Sequence, residues 1–302
     1  MSITAGKWAS RAGRLLAAYP TSCSAWREAD GATIRGAIRG VSPYTGNVKR
    51  DGAAKVVFNI SSVHVPSLAA SQMNTYLNRY DVSQRIGGTR PSGAADAREN
   101  IDRMLASLIG SSAHWQGLYY AAVELNGAGI RYYGDVCLVL RDSEVGADTK
   151  VLNRNSFDLI CEPLRSVTSP RGTWDAVRAE QEAAEIAGTW DELGDMALCK
   201  ILKPGYADDR RLTIGAISVG VLADEDYLEV IREKSFTVGD LAEARLAAAD
   251  AAVDGLVADR LRRGPLPSWT ELLWRHRRRK ADEALKARSV PTRVVVSAGR
   301  VR

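Results

Sequence analysis

Three β-rich runs follow one another in the middle of the chain, and they constrain the fold more than any other feature. The runs cover residues 118–125, 131–140 and 148–152. The first two are joined by residues 126–129 (Asn-Gly-Ala-Gly), and an Asn-Gly step between β-rich runs favours a hairpin because both residues tolerate positive φ. In the second run apolar and mixed positions alternate, which is typical of a strand with one buried face. The sequence therefore predicts a hairpin within a sheet.

Helical patterns and further β-rich runs flank this sheet. The additional strands are predicted at residues 55–60, 212–222 and 227–231. The helices are predicted at residues 5–18, 66–80, 92–109, 173–202 with a break at Gly188, and 241–261. The first is expected to dock on the body, with a transit peptide as the alternative, and Thr189 with Glu192 matches a capping box after the break. Groups of strands separated by groups of helices are typical of an α+β fold, so the expected fold is a mostly antiparallel sheet packed with helices.

The cysteines and the hydropathy pattern narrow the class of protein. Cys23, Cys137, Cys161 and Cys199 lie far apart without a Cys-x-x-Cys pair, so no disulfide framework or zinc site is expected. Buried, reduced thiols in a cytoplasmic protein are the expected alternative. No apolar run has the roughly 18 residues of a membrane-spanning helix, and no membrane partner is expected.

The carboxyl-terminal segment has a strong charge asymmetry. Residues 257–302 hold thirteen Lys and Arg against four Asp and Glu, a net charge of +9, whereas the whole chain carries +5 and the preceding part therefore carries −4. Ser268 and Glu271 form a capping-box pattern that begins a helix. Its apolar stripe from Trp269 to His276 predicts that the first two turns of the helix pack on the body. The rest of the helix is expected to extend into solvent. The expected domains are a body at 1–264 and a basic helix and tail at 265–302.

The basic helix suggests a polyanion as partner. Guanidinium groups bind phosphates in bidentate fashion and release counterions when they do so. The first functional hypothesis is a bacterial, cytosolic protein that binds the phosphate backbone of DNA or RNA. The proposed contact residues are Arg275, Arg277, Arg278, Arg279 and Lys280. Two alternatives remain, a solvated helix paired with Asp282 and Glu283, and a subunit that docks its basic helix on an acidic protein surface.

A second hypothesis places an enzyme site at the sheet. Its substrate would be a nucleotide or another anionic small molecule. The candidate catalytic residues are Arg131, Tyr133, Arg154, Ser156 and Glu229. Tyr133 would supply a stacking surface beside the two arginines, and Glu229, if it points inward, would be a general acid or base with a raised pKa. The plainer interpretation of Ser156 and its neighbours is a turn whose side chains bond to their own backbone.

The sequence lacks the motifs of several common enzyme classes. The acidic turn at residues 224–226 resembles an exposed charge run more than a metal site, and no metal is expected. No P-loop, no dinucleotide-binding Gly-x-Gly-x-x-Gly and no Gly-x-Ser-x-Gly elbow occurs in the sequence. The sequence identifies no cofactor and does not decide whether the chain is an enzyme.

Overall fold

The computed structural model describes residues 6–18, 32, 35–36, 54–86, 94–110, 114–146, 149–159, 176–202 and 227–296. The strands in these ranges belong to one sheet. They are β1 (Lys55–Ile60), β2 (Tyr119–Glu124), β3 (Val136–Leu140), β4 (Lys150–Leu152), β5 (Ala187–Thr189), β6 (Glu229–Arg232), β7 (Leu241–Ala247) and β8 (Thr292–Val295).

Helices pack around this sheet. The described α-helices are α1 (Lys7–Ala18), α2 (Val65–Ala69), α3 (Arg79–Ile86), α4 (Ala94–Leu108), α5 (Ala176–Ile186), α6 (Leu193–Ile201), α7 (Ala248–Arg263) and α8 (Trp269–Lys286). The strand order is β5-β4-β6-β2-β1-β3-β7-β8, and every pair except β7 with β8 is antiparallel. The predicted α+β class with a mostly antiparallel sheet is confirmed.

The predicted hairpin between residues 118–125 and 131–140 is wrong. β1 lies between β2 and β3 and pairs antiparallel with both, so these two strands are not neighbours. The chain from β2 to β3 crosses one end of β1, where the Asn59 side chain donates to the carbonyl of Gly134 (3.1 Å) and accepts from the N–H of Ile130 (2.8 Å). The Asn-Gly step therefore begins a crossover, because a strand from earlier in the chain occupies the place between its neighbours.

Two predicted helices differ from the structure. The sequence predicts a helix over residues 241–261, but residues 241–247 form β7 and the helix begins only at Ala248. Pairing of β7 with β3 and β8 outweighs the helix propensity of its alanines. The helix predicted over residues 66–80 stops at Ala69 and a new one begins at Arg79.

A contact with a distant segment explains the interruption after α2. The N–H of Tyr76 donates to the carbonyl of Phe236 at 2.8 Å, and Thr75 forms an isolated antiparallel bridge with Thr237. Extended backbone satisfies these groups across the molecule, which a continuous helix could not do. The rings of Tyr76 and Phe236 also stack, with centroids 4.9 Å apart.

The predicted amino-terminal docking helix is confirmed as α1. Trp8 is completely buried, and its indole N–H donates to the carbonyl of Ala187 at 2.9 Å. Ala12, one turn later, is also completely buried. At Thr189 the predicted capping box with Glu192 is present and begins the turn that leads into α6.

The carboxyl-terminal helix α8 docks by its second half, contrary to prediction. Ala281 and Leu285 are buried in the main core, whereas Trp269 at the start of the helix is 78% exposed. After the helix, β8 pairs in parallel with β7 and adds an edge strand to the sheet. The predicted Ser268–Glu271 capping box is confirmed. This segment is thus joined to the body by its end, and its beginning faces solvent.

Some predictions fall outside the described residues. These are the strand at residues 212–222 and the acidic turn at residues 224–226. Cys137 and Cys199 are free and buried. In the described ranges, no helix combines the length and the apolar character needed to cross a membrane.

Candidate functional site

A cavity of about 330 Å³ lies beside β1, β2 and β6 of the sheet. Its floor comes from neighbouring strands, because Ala122 of β2 pairs with both Val57 of β1 and Glu229 of β6. Directly opposed residues of paired strands point to the same face, so the small side chain of Ala122 leaves room between them. The described residues that close the cavity from above come from α3, α4 and the loops that follow β2 and β4.

Aromatic residues make up a large part of the cavity lining. They are Phe58, Tyr76, Tyr80, Tyr120, Tyr133, Phe157 and Tyr227. Tyr133 and Phe157 are about half-exposed at its edge, whereas Tyr80 and Tyr227 are buried. Pockets lined by rings with a few polar groups are typical of small-molecule sites, which range from roughly 300 to 1,000 Å³. This cavity is near the lower limit of that range.

Glu229 is the acidic residue that lines the cavity. Its side chain is only 3% exposed, and one carboxylate oxygen accepts from the backbone N–H of Ser156 at 2.7 Å. The other oxygen accepts from the hydroxyl of Tyr227 at 3.3 Å, and that hydroxyl lies 3.3 Å from the hydroxyl of half-exposed Tyr133. Glu229 thus has neutral hydrogen-bond partners and, within the described part of the chain, no ion pair of its own.

Burial raises the pKa of the Glu229 carboxyl above its ordinary value, because the charged form loses its hydration. The nearby Arg98 charge and the hydrogen bonds from Ser156 act in the opposite direction but are weaker. Burial and the adjacent carboxyl likewise raise the pKa of Tyr227, so its hydroxyl keeps its proton. A carboxyl group whose pKa is raised at the edge of a cavity is a candidate for proton transfer to a bound molecule.

A second buried carboxylate, Asp102, bonds to several residues that line the cavity. Asp102 is completely buried and accepts from Arg98 Nε (2.8 Å), Tyr120 Oη (2.6 Å), Tyr80 Oη (2.5 Å) and Arg79 Nη2 (3.1 Å). The Arg98 guanidinium stacks over the ring of Tyr120 at 4.1 Å. A charge in such a site is stable because several donors replace its lost water. The network fixes two tyrosines and two arginines of the cavity lining.

Arg98 connects this network to Glu229. Its Nη1 donates to the hydroxyl of Ser156 at 2.8 Å, and the N–H of the same serine bonds to Glu229. Arg79, at the start of α3, is the more accessible cavity arginine, with 42% of its side chain exposed. It uses Nη2 for Asp102, so the rest of its guanidinium can meet an anionic group that enters the cavity.

The structure brings together three of the five predicted catalytic residues. Tyr133 and Glu229 line the cavity, and Ser156 positions Glu229 through its backbone N–H. Arg131 and Arg154 do not line it. Arg131 pairs with Asp250 at 2.6 Å and Arg154 pairs with Glu182, so both predicted arginines have partners elsewhere.

Sequence reasoning missed Arg98, Asp102 and Arg79. A signal for the first two is present in α4, because Arg98 precedes Ile101 by three residues and Asp102 precedes Leu105 by three. Both charged residues therefore lie on the face that carries the buried Ile101 and Leu105. Two opposite charges at i and i+4 on a buried helical face indicate an internal ion pair. No comparable pattern marks Arg79.

The basic residues of α8 have different surroundings. Arg278 is buried and its guanidinium is bonded to both carboxylate oxygens of Asp254, so the expectation that it faces solvent is wrong. Arg279 and Lys280 are exposed but both pair with Glu283. The other two predicted contact residues, Arg275 and Arg277, are partly buried; Arg277 lies 5.7 Å from the centroid of the Trp274 ring.

Comparison with known proteins does not add to this description. No protein-family model, no curated protein and no solved structure matches the chain. Among the described residues, no cluster of three or more His, Cys, Asp or Glu side chains could hold a metal ion. The chemistry of the cavity is therefore argued from its own side chains.

Proposed function

We propose that this chain is an enzyme that binds a small ring-containing molecule with an anionic group, of nucleotide type, in the cavity beside Glu229. One observation carries the proposal. A carboxyl group that is 3% exposed and has only neutral hydrogen-bond donors borders a cavity of about 330 Å³. Burying an acid without an ion-pair partner costs free energy, and acids with perturbed pKa values are concentrated in active sites.

Glu229 acts as the proton donor and acceptor. Its raised pKa favours the protonated form relative to a free glutamate, and this form donates a proton to an oxygen or nitrogen atom of the bound molecule. The resulting carboxylate is stabilised by the N–H of Ser156, the hydroxyl of Tyr227 and the positive charge of Arg98. These groups are already in position before the transfer, which lowers the cost of forming the charge.

The rest of the cavity selects the ligand. The aromatic walls favour a planar ring, which stacks on them in offset or edge-on geometry. Arg79 favours a phosphate or carboxylate near the opening. Association with nucleic acid through α8 stays a prediction; its five proposed contact residues now include a buried Arg278 and two cations paired with Glu283.

Calorimetric titration with nucleosides and their 5′-monophosphates tests the proposal. The wild-type protein should bind the monophosphates more tightly than the nucleosides, and Arg79→Gln should remove most of this difference. Glu229→Gln should keep binding and lower the rate of substrate conversion, followed by mass spectrometry, about 100-fold. Glu233→Gln, which removes the same charge just beyond the end of β6 and outside the cavity, is the matched control. Absence of saturable binding for the whole series contradicts the proposal.

A further inference from the structure

The connection between α7 and α8 exposes large apolar side chains. We call residues 261–269 the hairpin tip, because α7 ends and α8 begins within it. Leu266 is 86% exposed, Trp269 is 78% exposed and Leu261 is 46% exposed. Single exposed apolar residues are common, but three within nine residues are a concentration of the kind found at interaction surfaces.

The hairpin tip is held in a defined conformation. Glu271 bridges its base, since one oxygen pairs with Arg260 at 2.9 Å and the other accepts from the N–H and hydroxyl of Ser268. The N–H of Gly264 bonds to the carbonyl of Arg260 at 3.0 Å. Pro267 is buried between the two exposed anchors. Leu266 and Trp269 are thus presented to solvent by an ordered loop, and such preorganisation lowers the entropic cost of binding a partner.

The charge of the hairpin tip is entirely positive. Arg262 and Arg263 are exposed, and no acidic residue occurs between positions 261 and 269. Within the described ranges neither arginine has a carboxylate at ion-pair distance, whereas Arg279 and Lys280 of α8 share Glu283. A complementary surface therefore carries negative charge around an apolar centre.

We propose that the hairpin tip docks into an apolar groove, rimmed by acidic side chains, on a partner protein. Leu266 and Trp269 enter the groove, and Arg262 and Arg263 pair with its rim. Trp and Arg are the residue types that most often dominate binding energy at protein interfaces, with apolar anchors at the centre and charges outside. The hairpin tip does not line the cavity, so this inference is independent of the proposed enzyme activity.

The apolar side chains favour a protein over a nucleic acid as the partner. Leucine has no ring to stack on a base, and a phosphate backbone requires only the arginines. Two further aliphatic residues of α7 are exposed, Val253 at 45% and Leu256 at 60%. Transfer of several aliphatic side chains from water into an apolar groove is favourable and stabilises the complex.

Affinity capture with the full-length chain as bait tests this proposal. Lysate of the source cells is treated with nuclease and passed over the wild type, Leu266→Ala/Trp269→Ala and Arg262→Gln/Arg263→Gln. Met73→Ala is the matched control, because Met73 is 85% exposed and lies outside the hairpin tip. A protein retained by the wild type and the control but lost from both tip variants is then purified and titrated into the bait by calorimetry.

The expected result is that each tip variant binds the purified protein about tenfold or more weakly, with weaker binding at high salt for the wild type. Thermal unfolding of the variants should match that of the wild type, because the replaced side chains are exposed. The proposal is overturned if no protein is lost selectively from the tip variants. It is also overturned if a 20-nucleotide DNA or RNA, or vesicles that contain anionic lipid, bind the wild type in the absence of a partner protein and fail to bind the tip variants.

Discussion

Two buried arginines, Arg98 and Arg278, have similar partners but different surroundings. Each is almost fully buried and bonded to a carboxylate, Asp102 for the first and Asp254 for the second. Arg278 lies between α7 and α8, and the cavity does not reach it. Arg98 borders the cavity and also faces Glu229, an acid without an ion pair. A buried ion pair alone therefore does not single out a candidate site; Arg98 belongs to one because a cavity and a second buried acid, Glu229, lie beside it.

Replacement of Arg278 should have the largest effect on stability. Arg278→Met leaves Asp254 without its two hydrogen bonds and removes the charge near Asp135, which lies 3.8 Å away. Breaking a buried pair from one side typically costs about 3–5 kcal/mol. Urea unfolding should show a loss of this size with ligand binding in the cavity unchanged. A loss below about 1 kcal/mol would mean that the pair does not hold α8 to the body.

Replacement of Arg98 should cost less stability and affect the site more. In Arg98→Met, Asp102 still accepts from Tyr80, Tyr120 and Arg79, so we expect a loss of about 1.5–3 kcal/mol, the contribution of a charged hydrogen bond. Ligand binding should weaken, in contrast to Arg278→Met. If Arg98→Met and Arg278→Met weaken ligand binding equally, the position of Arg98 beside the cavity has no specific effect on binding.

The pH dependence of the free energy of unfolding should reveal the raised pKa of Glu229 at the cavity. Because the folded-state pKa of Glu229 is above its ordinary value of 4.5, the folded protein holds more protons than the unfolded chain in the interval between the two values. The contribution of this group to the free energy of unfolding therefore decreases as the pH rises through that interval. Glu229→Gln should remove this decrease.

The measurement is a series of urea unfolding curves from pH 4 upward. Stability of Glu229→Gln relative to the wild type should rise with pH, and Glu233→Gln gives the effect of losing one charge outside the cavity. A relative stability of Glu229→Gln that falls with pH would show that the carboxyl is stabilised as an anion, opposite to the direction expected from its burial.

An exposed ion pair of α8 should have the smallest effect. Arg279→Gln breaks the pair with Glu283, but 67% of the arginine side chain is exposed. Water and salt screen an exposed i, i+4 pair, so the urea midpoint of unfolding should stay close to that of the wild type. A clear decrease of the midpoint would show that the exposed side of α8 is covered by something in solution, which would weaken the contrast with Arg278.

Local patterns predicted the elements of this fold better than their arrangement. The β-rich run at 55–60 and the capping boxes at Thr189 and Ser268 depend on neighbouring residues, and all were predicted from the sequence. Strand order depends on which distant segment pairs first. Nothing in residues 126–129 shows that β1 will separate the two flanking strands.

The site was predictable only in part for the same reason. Glu229 and Tyr133 were candidates because their chemistry is visible in the sequence, but the choice between arginines depends on distant partners. Arg131 and Arg154 follow strands as a ligand-binding residue would, yet each has a carboxylate nearby, on α7 and α5 respectively. Arg98 takes their place because α4 packs its charged pair against the sheet.

Glu229 is proposed to be a buried acid with a raised pKa at the edge of the cavity. Carbon-13 NMR of the glutamate carboxyl groups, with Glu229 assigned by comparison with Glu229→Gln, measures this directly. The titration midpoint of Glu229 should lie above the ordinary value of 4.5. It should be higher still in Arg98→Met, because the guanidinium opposes the effect of burial. A midpoint at or below 4.5 in the wild-type protein would contradict the claim.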